Sequence, residues 1–344
     1  MRTIFLAIPL LLAGCVAAEP TPKPSPLPTA TVTAAGETAA VATANADAAD
    51  DPAIWRNAAD PAASLIVGTD KKAGLYVYGL DGAVRDFADA GRVNNVDLVE
   101  HAGRIIVAAS DRNDKAAAKV ALFSLDPATA KLTALGTVPA GTGEGYGICL
   151  HDSGEALYAF MVMKDGTINQ LALDLSGAVP SAQIVRTMKL ATQSEGCVVD
   201  PRTNRLYVAE EDVGLWRFDA RAGGPSTPTK IAAADSQQIV ADAEGVAIAA
   251  EGPGNGGYLV VSSQGDNAYA VYALADDRYV GRFRIMPGAF GGTSETDGIA
   301  IATGDFGPQF PGGLMVAQDG DNAPKAQNFK VVAWGAVKTA LGLQ

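Results

Sequence analysis

The sequence predicts an all-β fold, a six-bladed β-propeller whose ring is closed by an N-terminal strand. Three observations predict it. One strand–turn–strand–strand pattern recurs six times along the chain. Each copy consists of short alternating runs rich in β-branched and aromatic residues, with Gly, Asp and Asn at the turns. The sixth copy ends one strand short, which leaves an open edge unless another part of the chain fills it.

At the N-terminus Arg2 precedes the apolar run "IFLAIPLLLAGC", which is too short to cross a bilayer as a helix. It ends in Leu12-Ala13-Gly14-Cys15, the order of a bacterial lipoprotein processing box. Residues 1–15 therefore read as a signal segment with Cys15 as the lipidation site. Export is expected, either as a cell-envelope lipoprotein on the periplasmic or surface side of the outer membrane, or as a secreted protein. Residues 16–36 carry Pro at 20, 22, 24, 26 and 28 and read as an extended spacer.

The propeller domain is expected over 37–344. Its first strands, "DDPAIW", "NNVDLV", "YGICLH", "EGCVVD", "EGVAIA" and "DGIAIA", begin at Asp50, Asn94, Tyr146, Glu195, Glu244 and Asp297. Second strands such as "RLYVAEED" end in polar residues, and third strands such as "YAVYAL" are aromatic. Fourth strands such as "AQIVRTMKLA" and "YVGRFRIMP" follow in five copies. "ETAAVATANA", Glu37 to Ala46, is expected to supply the strand missing from the sixth. A last helical turn is expected near Val337 to Leu341.

A formal net charge of −12 without a basic stripe argues against nucleic acid as a partner. A monomer is expected, touching the membrane only through the lipid. Beyond Cys15 the chain has only Cys149 and Cys197, which an oxidising compartment would allow to pair but which two buried thiols would explain equally well.

In an antiparallel hairpin the start of the first strand lies beside the end of the second. Residues at both places in all six copies should therefore crowd one mouth of the channel. Asp50, Asp51, Glu195, Glu211, Glu244, Asp297, Asp319, Asp321 and Asn322 are among them. Packed carboxylates repel unless a cation sits among them, and hard oxygen donors without a His or thiolate cluster select calcium or magnesium. A flexible, carboxylate-rich site of many ligands favours Ca²⁺ of the two. For any one Asp or Asn a plain turn role is an equal alternative; Glu is a poor turn former, so Glu195, Glu211 and Glu244 are not explained that way. Lys71, Lys72, Arg112 and Lys164 fall at the same mouth and point to a polyanionic ligand such as a phosphate ester, unless they only pair with the acids. "GPGNGG" at 252–257 has dinucleotide-loop spacing but no helix behind it, and no nucleophile elbow or P-loop is present.

The motifs "DAADDPAIW", "GTDKKAGLYVY", "NNVDL", "EGYG", "RLYVAEED", "AEGVAI", "SSQGDNAYAVY", "ETDGI", "VAQDGDN" and "QNFKVVAW" together resemble the β-propeller (alkaline, calcium-dependent) phytases over about residues 40 to 335. The resemblance implies hydrolysis of phosphomonoesters of myo-inositol hexakisphosphate with several Ca²⁺ ions and a metal-activated water. It implies that Tyr146, Glu195, Glu211, Asp242, Glu244, Gln264 and Asp297 form the catalytic calcium cluster. Lys71, Lys72, Arg112 and Lys164 are implied to contact phosphate. Asp50 and Asp51 with the backbone carbonyl near Val96 correspond to one structural calcium site, and Asp319, Asp321 and Asn322 to part of another. Glu211 is the first candidate for the base, with Tyr146, Lys164 and Asp165 beside it. Asp165 stands where the family often has Glu, and Gly291 where an Asp ligand is common. Two other readings fit a channel calcium: a lactonase-type propeller, and a non-catalytic module that binds calcium or sugar phosphates.

Overall fold

The computed structural model describes residues 23–343; the signal segment and Cys15 lie outside them. Six sheets, antiparallel but for one added parallel strand, stand around a central channel as a six-bladed β-propeller. The inner strands are Ala49–Trp55, Val93–His101, Gly145–Asp152, Ser194–Asp200, Ala243–Ala250 and Ile299–Thr303. Each packs on the inner strands to either side, and Ile299–Thr303 against Ala49–Trp55 completes the ring.

The core is divided into six wedges, one between each pair of neighbouring blades. Val67, Val77, Ile105 and Phe123 fill the wedge between blades 1 and 2, and Phe160, Val162, Leu206 and Phe218 that between blades 3 and 4. Strands buried on both faces explain why their sequences read as continuous apolar runs, each buried large side chain contributing ~1.5–3 kcal/mol.

Blade 6 brings three strands of its own, and the fourth, expected over Glu37 to Ala46, is the shorter and earlier Gly36–Glu37, antiparallel to Asn328–Ala333. Backbone bonds from Thr38 N–H to Phe329 O (2.8 Å) and Val41 N–H to Gln327 O (3.0 Å) continue the closure. An additional strand lies inside the segment read as a spacer: Ala30–Thr33 pairs parallel with Tyr279–Met286 on blade 5. Here the prolines have ended and "ATVT" alternates, so Val32 enters the core beside Phe283 and Ile285. The C-terminal helix, Trp334–Leu341, longer than the single turn expected, packs on both of these strands with Trp334 and Val337 fully buried.

Cys149 and Cys197 are joined in a disulfide between the inner strands of blades 3 and 4. It closes a loop with a sequence separation of 48 residues. Such a cross-link raises stability by about 4 kcal/mol if its effect lies in the unfolded chain. Among the described residues no helix is long and apolar enough to cross a membrane.

Candidate active site

All six first strands start at one mouth, and in five blades the ladder to the second strand slips there. The slips fall between Ala49 and Pro52, Val93 and Val96, Gly145 and Gly147, Ser194 and Cys197, and Ala243 and Val246. Each is a bulge, which breaks the in–out alternation and re-aims the side chains it contains. Those side chains include Asp50, Asn94, Tyr146, Glu195 and Glu244.

Glycine then draws the blades together. A Cβ on Gly147 would stand 1.9 Å from the carbonyl oxygen of Glu195, one on Gly196 2.4 Å from that of Glu244, one on Gly245 2.6 Å from that of Asp297, and one on Gly298 2.5 Å from that of Asp50. No side chain tolerates such an approach to backbone. The glycine after each site residue therefore lets the next blade's acid swing in beside it.

The outcome is a cleft of about 870 Å³ lined by Asp47, Lys71, Tyr146, Gln193, Glu195, Glu211, Asp212, Asp242, Glu244, Gln264 and Asp297, among others. Carboxylate oxygens of Glu195, Glu211 and Glu244 lie within 4.8 Å of one another, and all three residues are buried. Asn94 Nδ2 donates to Glu195 (2.8 Å), Gln193 Nε2 to Glu211 (2.7 Å) and Gln264 Nε2 to Asp297 (2.7 Å). Glu244 Oε2 is buried without a hydrogen-bond partner. Burial first, then the charge of Asp50 on Glu195 and of Glu195 on Glu244, raises both well above the usual carboxylate range. Burial pushes Glu211 up to about 7, and burial with Asp50 nearby pushes Asp297 up to about 8 although Lys71 opposes it. Burial and the neighbouring glutamates also raise the Tyr146 phenol, which stays protonated. Convergent, desolvated oxygens with one left unpartnered fit a hard divalent cation, and no thiol or imidazole competes within the cluster.

The expected bases occupy different places. Lys71 is drawn into the acids, 2.7 Å from Asp47 and 2.9 Å from both Asp50 and Asp297. Burial alone would lower its pKa, yet these three carboxylates hold it raised. Lys164 Nζ lies 4.9 Å from the Tyr146 ring centre and Arg112 Cζ 5.4 Å from it. Arg112 also donates to Asn94 Oδ1 and pairs with Glu144 at 2.9 Å. Lys72 is exposed and does not line the cleft. Asp165 is exposed as well, 3.0 Å from Lys189 and accepting from the Thr167 amide (2.9 Å), so the structure does not bring it to the cluster.

The two corners read as structural calcium sites hold other donors. Asp51 Oδ2 accepts from the Val96 amide (3.1 Å), so an N–H of Val96 faces it, while Asp50 joins the cleft through Lys71. At Asp319, Asp321 and Asn322 the fully buried Lys330 ammonium lies 3.1 Å from both Asp319 Oδ2 and Asn322 Oδ1, 2.9 Å from Asn328 Oδ1 and 2.7 Å from Glu37 Oε2. An ammonium within hydrogen-bond distance of four oxygens supplies the positive charge this corner needs. A Cβ on Gly291 would stand 3.1 Å from Lys330 Nζ, so the glycine leaves room for it.

Sequence reasoning did not single out Gln193, Asp212 or Asp47 as site residues. Asp47 had a signal, as the first acid of "DAADD", and Asp212 follows Glu211 directly. Gln193 is set apart only by the fold.

A closed six-bladed propeller with buried acids converging at one mouth defines a class of site that could hold a metal ion, flanked here by cations. The Phytase family profile matches residues 2–344, and the chain belongs to that family. It is 37% identical over 313 residues to a 3-phytase of Bacillus subtilis (strain 168), covering 86% of this chain and 82% of that protein. Among solved structures, a chain of the mitotic checkpoint complex overlays with a TM-score of 0.49 at 14% identity, covering 93% of this chain and 86% of that one.

Proposed function

We propose that the protein is a calcium-dependent phosphomonoester hydrolase that releases phosphate from phytate. Family membership and the 3-phytase relative support phytate as substrate. The observation that carries the metal dependence is the Glu195–Glu211–Glu244 cluster with its unpartnered buried oxygen. Glu195, Glu211, Glu244, Asp242 and Asp297 would hold the ions, with Gln264 fixing Asp297. Bound calcium would neutralise phosphate oxygens and lower the pKa of an attacking water.

The chain's own groups supply the remainder. Glu211, held on one oxygen by Gln193, is the carboxylate placed to accept the proton of the water. Tyr146, kept as a phenol, donates a hydrogen bond towards a phosphate oxygen. Lys164 and Arg112, over its ring, and Lys71 deeper in meet the other phosphates of a polyanion. A ligand of this kind exchanges carboxylate partners for phosphate ones at Lys71 and Arg112.

The test is phosphate release from calcium-phytate by purified protein, with a chelator arm and a lactone as control substrate. Release that stops with chelation and returns with Ca²⁺ is expected. Release unaffected by exhaustive chelation would overturn the metal reading, and lactone opening without phosphate release would overturn the substrate. We also propose export with lipidation at Cys15, which the disulfide fits chemically; labelled fatty acid should enter the wild-type protein and not Cys15→Ala.

A further inference from the structure

The N-terminal chain touches the cleft loops before it enters a sheet. Ser25 lies between Pro24 and Pro26, which favour an extended backbone for it. Its N–H donates to Asp266 Oδ2 (3.1 Å) and its hydroxyl donates to the Gln237 carbonyl. These acceptors belong to two separate loops. Gln237 is on the link from blade 4 to blade 5, and Asp266 ends the turn Gln264–Asp266 after the second strand of blade 5.

Each loop carries a residue that lines the cleft, Asp242 on the first and Gln264 on the second. The loops are also bonded to each other. Gln264 N–H donates to Asp242 O (2.9 Å), Val240 N–H donates to Ser263 Oγ (2.8 Å), and Ser263 Oγ donates to Asp266 Oδ1 (2.8 Å). Their approach is so close that a Cβ on Gly265 would stand 1.9 Å from Ala241 O. Asp266 is buried and already holds Arg282 (2.6 Å) and Arg284 (3.2 Å). Ser25 thus adds one bond to each loop at the seam, and the strand Ala30–Thr33 anchors the segment from the other side.

We propose that Ser25 is a positioning residue for the reaction: it clamps the two loops that present Asp242 and Gln264, and through Gln264 it orients Asp297. A small misplacement of groups that hold a reacting phosphate lowers turnover more than binding, because the remaining contacts still hold the substrate. The kinetic part of this inference rests on the phosphatase reading above; the clamp itself does not.

The test uses the full chain with Ser25→Pro, which keeps an extended backbone and removes both donors, and Ser25→Ala, which removes the hydroxyl alone. Amide exchange is followed by mass spectrometry beside phytate kinetics. Ser25→Pro should speed exchange at 239–244 and 262–266 by about tenfold and leave blades 1 to 3 unchanged. It should lower kcat about three- to tenfold with KM within about twofold, and Ser25→Ala should fall between. Unchanged exchange and kcat in Ser25→Pro would overturn the proposal. So would faster exchange spread evenly over all blades, which marks a general closure of the fold. If the wild type releases no phosphate, the exchange arm still decides the clamp while the phosphatase reading falls by itself.

Discussion

Blades 3 to 6 and blades 1 and 2 build the same mouth in different ways. In the first group a glycine follows the leading site residue, at 147, 196, 245 and 298. In the second group the corresponding residue is Asp51 or Asn95, and both are buried. The glycine blades pack backbone on backbone and push Glu195, Glu244 and Asp297 into one desolvated cluster. The other two pack by side chain: Asp51 accepts from the Val96 amide, and the Asn95 amide, with its nitrogen turned inwards, donates to Tyr146 O (3.0 Å) and Glu195 Oε1 (2.9 Å). One arc concentrates charge, and the other braces it with hydrogen bonds. The ring is thus near-symmetric in fold and asymmetric in chemistry.

The largest effect expected from this contrast is on turnover. Glu244→Gln and Glu211→Gln remove acids of the charged arc and should lower kcat about 100-fold or more on phytate. Asn95→Ala removes two bracing hydrogen bonds of ~0.5–1.5 kcal/mol each and should cost about tenfold, well short of the loss at the acids. Equal losses at Glu244 and Asn95 would break the distinction. Next comes stability. Gly147→Ala sets a methyl against the Glu195 carbonyl and should destabilise by about 3 kcal/mol, read from urea unfolding. Asp51→Asn keeps the acceptor for Val96 and should stay within about 1 kcal/mol, with or without calcium. A calcium-dependent loss in Asp51→Asn would instead place a cation on Asp51.

The charged arc also sets a pH dependence. Glu211 and Asp297 titrate in the folded protein near 7 and 8, well above the ~4 of an unfolded carboxylate. Each binds a proton more tightly folded than unfolded, so the stability it contributes is full below about pH 4 and is lost as pH rises through the folded values. In chelator, the melting temperature should therefore fall between about pH 5 and pH 8. Added calcium should cancel most of that slope, because ions bound only by the folded state favour it. A chelated protein with the same melting temperature at pH 5 and pH 8 would show that the arc is not desolvated.

The repeat, the closing strand and the acids were legible in the sequence because each is a periodic or compositional signal. "EGCVVD" and "EGVAIA" align by eye, and a Glu at a strand start has no turn role. What escaped is what periodicity hides. The bulges that aim Glu195 and Glu244 are register facts, visible only once two strands are paired. The part played by Gly196 and Gly245 depends on a carbonyl of the next blade, about 50 residues away in sequence. The strand Ala30–Thr33 was masked by the prolines before it, although "TATVT" alternates as a strand should. Lys330 stands inside the motif "QNFKVVAW", and its buried ammonium is recognised only once the fold sets Glu37, Asp319, Asn322 and Asn328 around it.

The smallest expected effect sharpens the comparison by separating position along the repeat from position in space. Asp165 ends a second strand, as Glu211 does one blade later, so the repeat alone gives the two residues the same standing. Their surroundings differ. Glu211 is buried and raised, held by Gln193; for Asp165 burial is the largest single influence and acts upwards, yet the bonds from the Thr167 amide and Lys189 together hold its carboxyl below the usual range. An exposed pair of this kind contributes ~0–1 kcal/mol, and a lowered carboxylate is a poor proton acceptor near neutrality. Asp165→Asn should therefore leave kcat/KM for phytate within about twofold of wild type, while Glu211→Gln does not. A loss of tenfold or more in Asp165→Asn would mean that the bound substrate draws Asp165 inwards beside Lys164.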